Sequence, residues 1–251
     1  MVLVPDSAFK GVQPRPAMPS SKCPTVYVQL EQLRRLADGL MRVGFPKTVE
    51  ISEKLFNVKL PASLAFREFG EEEDVYTLGR LKFKDDGSAE VQLSLPLIMA
   101  HYREGTGVAA VFHATHELTH LYLSRTIEGY LRRRSDAGDL LWKIEEGICD
   151  AVGLYATTMM FRNVEASVKE IADELSKPLP RNKEASNIDN LMYLDAKEEI
   201  GRQLRELEHM SFAGAINELI RLVAEGKLSP TARFQDAVSA SALLRQEGVL
   251  A

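Results

Sequence analysis

The sequence predicts an α+β protein: a small mixed or antiparallel β-sheet with an edge strand, followed by a mainly helical region. Three observations carry that reading. Val91, Leu93, Leu95 and Leu97 alternate with Gln92, Ser94 and Pro96, the period of a strand with one buried and one polar face. Asp85-Asp86-Gly87 precedes that run and has the chemistry of a hairpin turn. From about residue 106 onward the apolar spacing turns helical and stays so. A β region followed by helices is an α+β order.

The elements follow in turn. Residues 1–25 hold Pro5, Pro14, Pro16, Pro19 and Pro24 and read as an extended, irregular arm. Residues 27–43 carry Val28, Leu30, Leu33, Leu36, Leu40 and Val43 near helical spacing, and Pro46 is expected to end that helix. A mixed segment runs to about residue 75, with "SLAFREF" as a strand candidate. The hairpin "YTLGRLKFKDDGSAEVQLSL" comes next, and Pro96 marks its second arm as an edge strand or a strand end, because proline cannot donate to a ladder. Thr106 is the expected N-cap of a helix running through His113 to about Leu123. Helices follow near 138–162 and 163–176, then, after the loop "KPLPRNKEASN", near 189–208, 211–225 and 230–246. The organisation is an arm at 1–25, a mixed segment at 26–75, a chemistry-bearing domain at 76–205 and a helical segment at 206–251.

At 251 residues the chain is long enough to bury a good core. A net charge of −5 leaves no electrostatic footprint for nucleic acid or an anionic membrane. Arg132, Arg133 and Arg134 form the densest basic run and read as a solvated surface. No stretch approaches the roughly 18 apolar residues of a membrane span. Residue 1 onward shows no basic region followed by an apolar one, so no secretory signal is expected. Cys23 and Cys149 are the two cysteines, in unrelated contexts, which favours a reducing, cytosolic compartment over a disulfide framework.

The chemistry concentrates in "HATHELTHLY", residues 113–122. His116 and His120 are four apart, so a helix projects both from one face, where two imidazoles can reach one zinc ion. Glu117 falls beside such a metal, placed to take a proton from a bound water. The flanking Val111, Phe112, Ala114, Leu118, Leu121, Tyr122 and Leu123 mark a buried helix, in which two histidines need polar partners. His113 sits one turn earlier and reads as a packed or pocket residue, out of reach of a metal held by the other two.

A catalytic zinc needs a third protein ligand and an open position. A third histidine six positions after His120 is ruled out, because Leu123 and Thr126 stand where that pattern needs glycine and histidine. The alternative is an acid on the next helix, "LWKIEEGICDAVGLY", which offers Glu145 and Glu146. Asp150 lies four beyond Glu146 on its face and can accept the free ring N–H of a ligand histidine, which favours Glu146. Ile148 and Cys149 read as the apolar face, and Gly147 and Gly153 let the helix approach a neighbour closely.

HELTH, followed 26 residues on by E-G-I-C-D, resembles the gluzincin class of zinc metallopeptidases: thermolysin, the leukotriene-hydrolase-type aminopeptidases and the minigluzincins. The resemblance covers roughly residues 88–200 and implies a zincin-like catalytic domain with zinc as cofactor. It implies that His116, His120 and Glu146 hold the metal, with Glu117 as general base and Asp150 behind a ligand. It also implies that the strand before the helix, Val91 to Leu95, forms the rim on which a peptide or protein substrate pairs as an added strand. Cys149 stands where thermolysin-like sequences often have serine and reads as a small buried filler. "MYLDAKEEI" resembles the oxyanion-binding helix of the aminopeptidases, with Tyr193 in the tyrosine place and Ala196 instead of glycine; His209 competes for that role. The GxMEN motif that reads a free amine is absent.

The implied activity is zinc-dependent hydrolysis of a peptide bond. Two rival readings accompany it: a regulatory, site-specific protease similar to the ImmA/IrrE proteins, without a clear helix-turn-helix here, and a non-catalytic zinc-binding relic of the fold. The arm around "QPRPAMPSSKCP" could also lie across the cleft as a self-inhibiting segment.

Overall fold

The computed structural model describes residues 30–59, 61–67, 78–85, 88–102, 105–126, 139–177, 188–228, 230–232 and 234–236. Among them lie eight α-helices, one π-helical turn and a three-stranded mixed sheet, the predicted α+β architecture. The chain divides into two compact units, Met1–Leu121 with Ala156–Val164, and Tyr122–Tyr155 with Glu165–Ala251. The arm at 1–25, Cys23 and everything beyond residue 236 fall outside the described residues. No described helix is long and apolar enough to cross a membrane.

The first unit opens with α1 (Leu30–Gly39), a π turn (Leu40–Gly44) and α2 (Phe45–Phe56). Pro46 does not end a helix, as its sequence position suggested. It occupies the first turn of α2, where a missing N–H leaves no bond unmade. The π turn prepares that place: the Phe45 N–H bonds to the Leu40 carbonyl five residues back.

Three strands follow, β1 (Ala62–Phe66), β2 (Gly79–Phe83) and β3 (Ala89–Leu93), in the order β1-β3-β2. β1 overlaps the strand candidate, starting one residue before it, and pairs parallel with β3; β2 and β3 form the predicted antiparallel hairpin. The Lys84 N–H donates to Ser88 O at 2.9 Å across its turn, whose Asp86 and Gly87 fall outside the described residues. Of the two expectations for Pro96, an edge strand or a strand end, the second holds: β3 is paired on both sides and ends at Leu93. Pro96 never enters the sheet. The chain leaves it at Ser94, and Pro96 sits in the first turn of α3 (Leu95–His101). A short apolar alternation that runs into a proline-started helix looks, in sequence, like a longer strand.

Register decides what the outer edge of β2 exposes. Gly79, Leu81 and Phe83 stand opposite Leu93, Val91 and Ala89. Bonds from Ser94 N to Leu78 O and from Lys84 N to Ser88 O make the even-numbered residues of β2 the hydrogen-bonded positions. Alternation in an antiparallel ladder then turns the backbone N–H and C=O of Gly79, Leu81 and Phe83 away from β3. No described strand pairs with that edge. On one face of the sheet Ala89, Val91 and Leu93 are fully buried. On the other, Gln92 Oε1 accepts from Arg67 at 3.1 Å and Arg80 at 2.8 Å, a hydrogen-bonded polar face.

α4 (Thr106–Thr126) has Thr106 as its first helical residue rather than its N-cap, its hydroxyl donating to the Tyr102 carbonyl at 2.7 Å, and Val111, Ala114, Leu118, Leu121, Tyr122 and Leu123 along it are buried. Thr115 and Thr119 are buried as well and turn their hydroxyls back to the carbonyls of Val111 and Thr115, each at 2.8 Å.

The second unit contains most of α5 (Asp139–Arg162), then α6 (Val168–Leu175), α7 (Ile188–Glu206) and α8 (Phe212–Ala224). α6 begins later than the expected residue 163, because Ser167 and Glu170 form a capping box that fixes its first turn. Gly147 lets α5 close on α7: a Cβ there would stand 2.6 Å from Ile200 Cγ1 and 2.9 Å from the Ala196 carbonyl oxygen. Tyr155 of α5 stacks on Phe212 of α8 at 4.1 Å.

Candidate metal centre

α4 carries the histidine pair. His116 is 7 % exposed and His120 half-buried, one turn further on. Their rings lie 5.0 Å apart at 70°, and Nε2 of one stands 3.3 Å from Nε2 of the other. Two ring nitrogens at that separation are held by one shared N–H···N bond or by an ion between them. Zn–N bonds of about 2.05 Å in tetrahedral geometry place two ligand nitrogens about 3.3 Å apart. The separation of the pair matches that of two nitrogens sharing one metal ion.

Glu117 follows His116 on the helix and is half-buried. It packs on the first residue of β2, where a Cβ on Gly79 would lie 3.1 Å from Glu117 Oε1. The acid thus follows His116 along the helix and stands at the first residue of the strand whose outward backbone groups are Gly79, Leu81 and Phe83.

Cys149 of α5 completes a group with the two histidines. One ring nitrogen of each histidine and the Cys149 sulfur all lie within 4.8 Å of one another, so the three side chains can hold a metal ion. Nitrogen and thiolate donors together suit zinc and other borderline or soft metals more than magnesium or calcium. Sequence reasoning gave Cys149 only a packing role. The overlooked signal is its position three residues after Glu146, which puts both on one helical face.

Glu146, the acid expected as third ligand, is half-buried one turn earlier on α5 and lies outside that group. Glu145 is buried at 1 % exposure. Asp150 is fully buried, and its Oδ2 pairs with Lys197 Nζ of α7 at 2.9 Å. That ion pair answers the charge of a carboxylate which could not otherwise sit in the interior.

The remaining candidates are placed as follows. His113 is half-buried, outside the ligand group as expected, with Nε2 3.4 Å from the Tyr102 hydroxyl and its ring edge-on to Phe112. Tyr193 lies on helical backbone in α7, and its side chain falls outside the described residues. His209 is exposed in the turn after α7. No protein-family model, no curated protein and no solved structure matches the chain.

Proposed function

We propose that the protein is a zinc-dependent metallopeptidase of gluzincin type. The 3.3 Å separation of the His116 and His120 nitrogens, with Glu117 on the intervening turn, is the observation that carries this reading. His116, His120 and Glu146 would hold the metal, and Asp150 would accept the free N–H of a ligand ring. A zinc ion there would supply Lewis acidity, polarising the scissile carbonyl and lowering the pKa of a water to about 7. Glu117 would accept a proton from the attacking water and pass it to the departing amine. Tyr193 hydrogen-bonds the oxyanion of the tetrahedral state. The peptide lies along β2 rather than β3, a placement supported by the outward groups of Gly79, Leu81 and Phe83.

Glu117→Gln is the direct test. The variant should retain one zinc per chain while cleavage of a peptide library falls to background. Turnover that survives in the zinc-loaded variant ends the assignment.

Cys149 favours a second reading, a closed and non-hydrolytic metal centre. A thiolate bound together with Glu146 and both histidines fills all four tetrahedral positions and leaves none for water. Stoichiometric metal with an entirely uncut library selects this reading over the first.

A further inference from the structure

Gly79 opens β2 directly against Glu117. A Cβ on Gly79 would lie 3.0 Å from Glu117 Cγ, 3.1 Å from its Oε1 and 3.1 Å from Leu93 Cδ2. Carbon atoms rest at roughly 3.5–4.0 Å, so each of these is a contact from which something must shift. The backbone does not demand glycine here, since the described positive-φ glycines are Gly105 and Gly226. Space alone does. The close approach also falls at one of the outward-facing positions of β2, so the edge meets the acid at one point.

We infer that Gly79 is the positioning residue for Glu117: the absence of a side chain sets where the carboxylate rests. This builds on the reading of Glu117 as general base. A methyl group at position 79 displaces the carboxylate by a few tenths of an ångström or turns it to another rotamer, while the zinc ligands stay where α4 and α5 hold them. A loss of that kind falls on the chemical step and leaves metal binding intact.

The experiment compares wild type, Gly79→Ala, Leu93→Val and the double variant for zinc content, thermal midpoint, kcat and KM on one library-selected peptide. Gly79→Ala should keep its zinc and lose about 10- to 100-fold in kcat, with KM within about threefold, the pattern of a misplaced catalytic group. A kcat within twofold of wild type overturns the inference. Leu93→Val removes the crowding at Leu93 but not at Glu117, so the double variant should stay slow. Recovery of kcat in the double variant shows that the effect ran through the core and overturns the inference as well. A zinc-loaded wild type that cuts nothing refutes the peptidase reading, and positioning is then read with acetohydroxamate, which chelates zinc and shares its proton with a neighbouring carboxylate. Gly79→Ala and Glu117→Gln should both weaken its binding about 10-fold; unchanged affinity in Gly79→Ala overturns the inference.

Discussion

His116, His120, Glu146 and Cys149 differ in how much of their chemistry one chain position reveals. An i, i+4 histidine pair has its shared face written into the helix period, and the ring rotamers then bring the nitrogens to 3.3 Å. A third ligand comes from another helix, so its identity depends on which residues of α5 face the pair. The catalytic reading makes a definite prediction here. Glu146→Gln should weaken zinc binding by on the order of 100-fold or more, since even partners behind the ligands are worth 10- to 100-fold. Cys149→Ser should leave affinity within a few-fold. In the cobalt-substituted protein the catalytic reading expects no sulfur-to-metal charge-transfer band. A strong band that vanishes in Cys149→Ser assigns the thiolate to the metal and selects the closed centre.

At the level of elements, α4 and α5 show why periodicity finds helices more readily than it finds their partners. α4 is apolar on nearly every side, and that all-round burial made its histidines stand out in the sequence. The close approach of α5 to α7 was legible only as two glycines. The structure shows it at Gly147, whose space is bounded by the backbone of Ala196. Helix propensity alone would have Gly147→Ala stabilise α5 by about 1 kcal/mol. A Cβ 2.9 Å from a backbone oxygen cannot be relieved by a rotamer change, and overpacking of this kind costs roughly 1–3 kcal/mol. The variant should therefore melt lower than wild type. A higher midpoint would show that the helices part without cost.

The molecule as a whole should carry an acid-sensitive element in Glu199. This side chain is 3 % exposed, and its oxygens accept from Arg202, Gln203 and both the N–H and hydroxyl of Thr231. Burial pushes the carboxyl pKa up, but the hydrogen bonds from Arg202, Gln203 and Thr231 outweigh it and hold the group below its ordinary value of 4.5. A depressed pKa in the folded state means the unfolded chain binds the proton more readily. The stabilisation is thus complete above about 4.5 and is lost as pH falls below it. Glu199→Gln should cost about 1–3 kcal/mol at neutral pH by leaving donors poorly satisfied. Its stability should then fall less than that of wild type on acidification. Unfolding curves measured from pH 7 to pH 3 would contradict the account if the two proteins stayed a constant distance apart.

What the sequence determined by itself is what local periodicity can encode: the helices, the β2–β3 hairpin, the α+β order and the shared face of His116 and His120. It misread Pro46 and left Pro96 open between an edge strand and a strand end, since one residue type both stops elements and starts helices, and only the neighbouring hydrogen bonds say which. β1 was visible as a strand candidate, but its pairing with β3 was not, because strand partners far apart in sequence leave no local period. That pairing took the free edge from β3 and left it to β2. Tertiary structure likewise decided that Gly79 faces Glu117. That contact joins residues 38 positions apart. It depends on packing between elements, which the spacing within any one element does not contain.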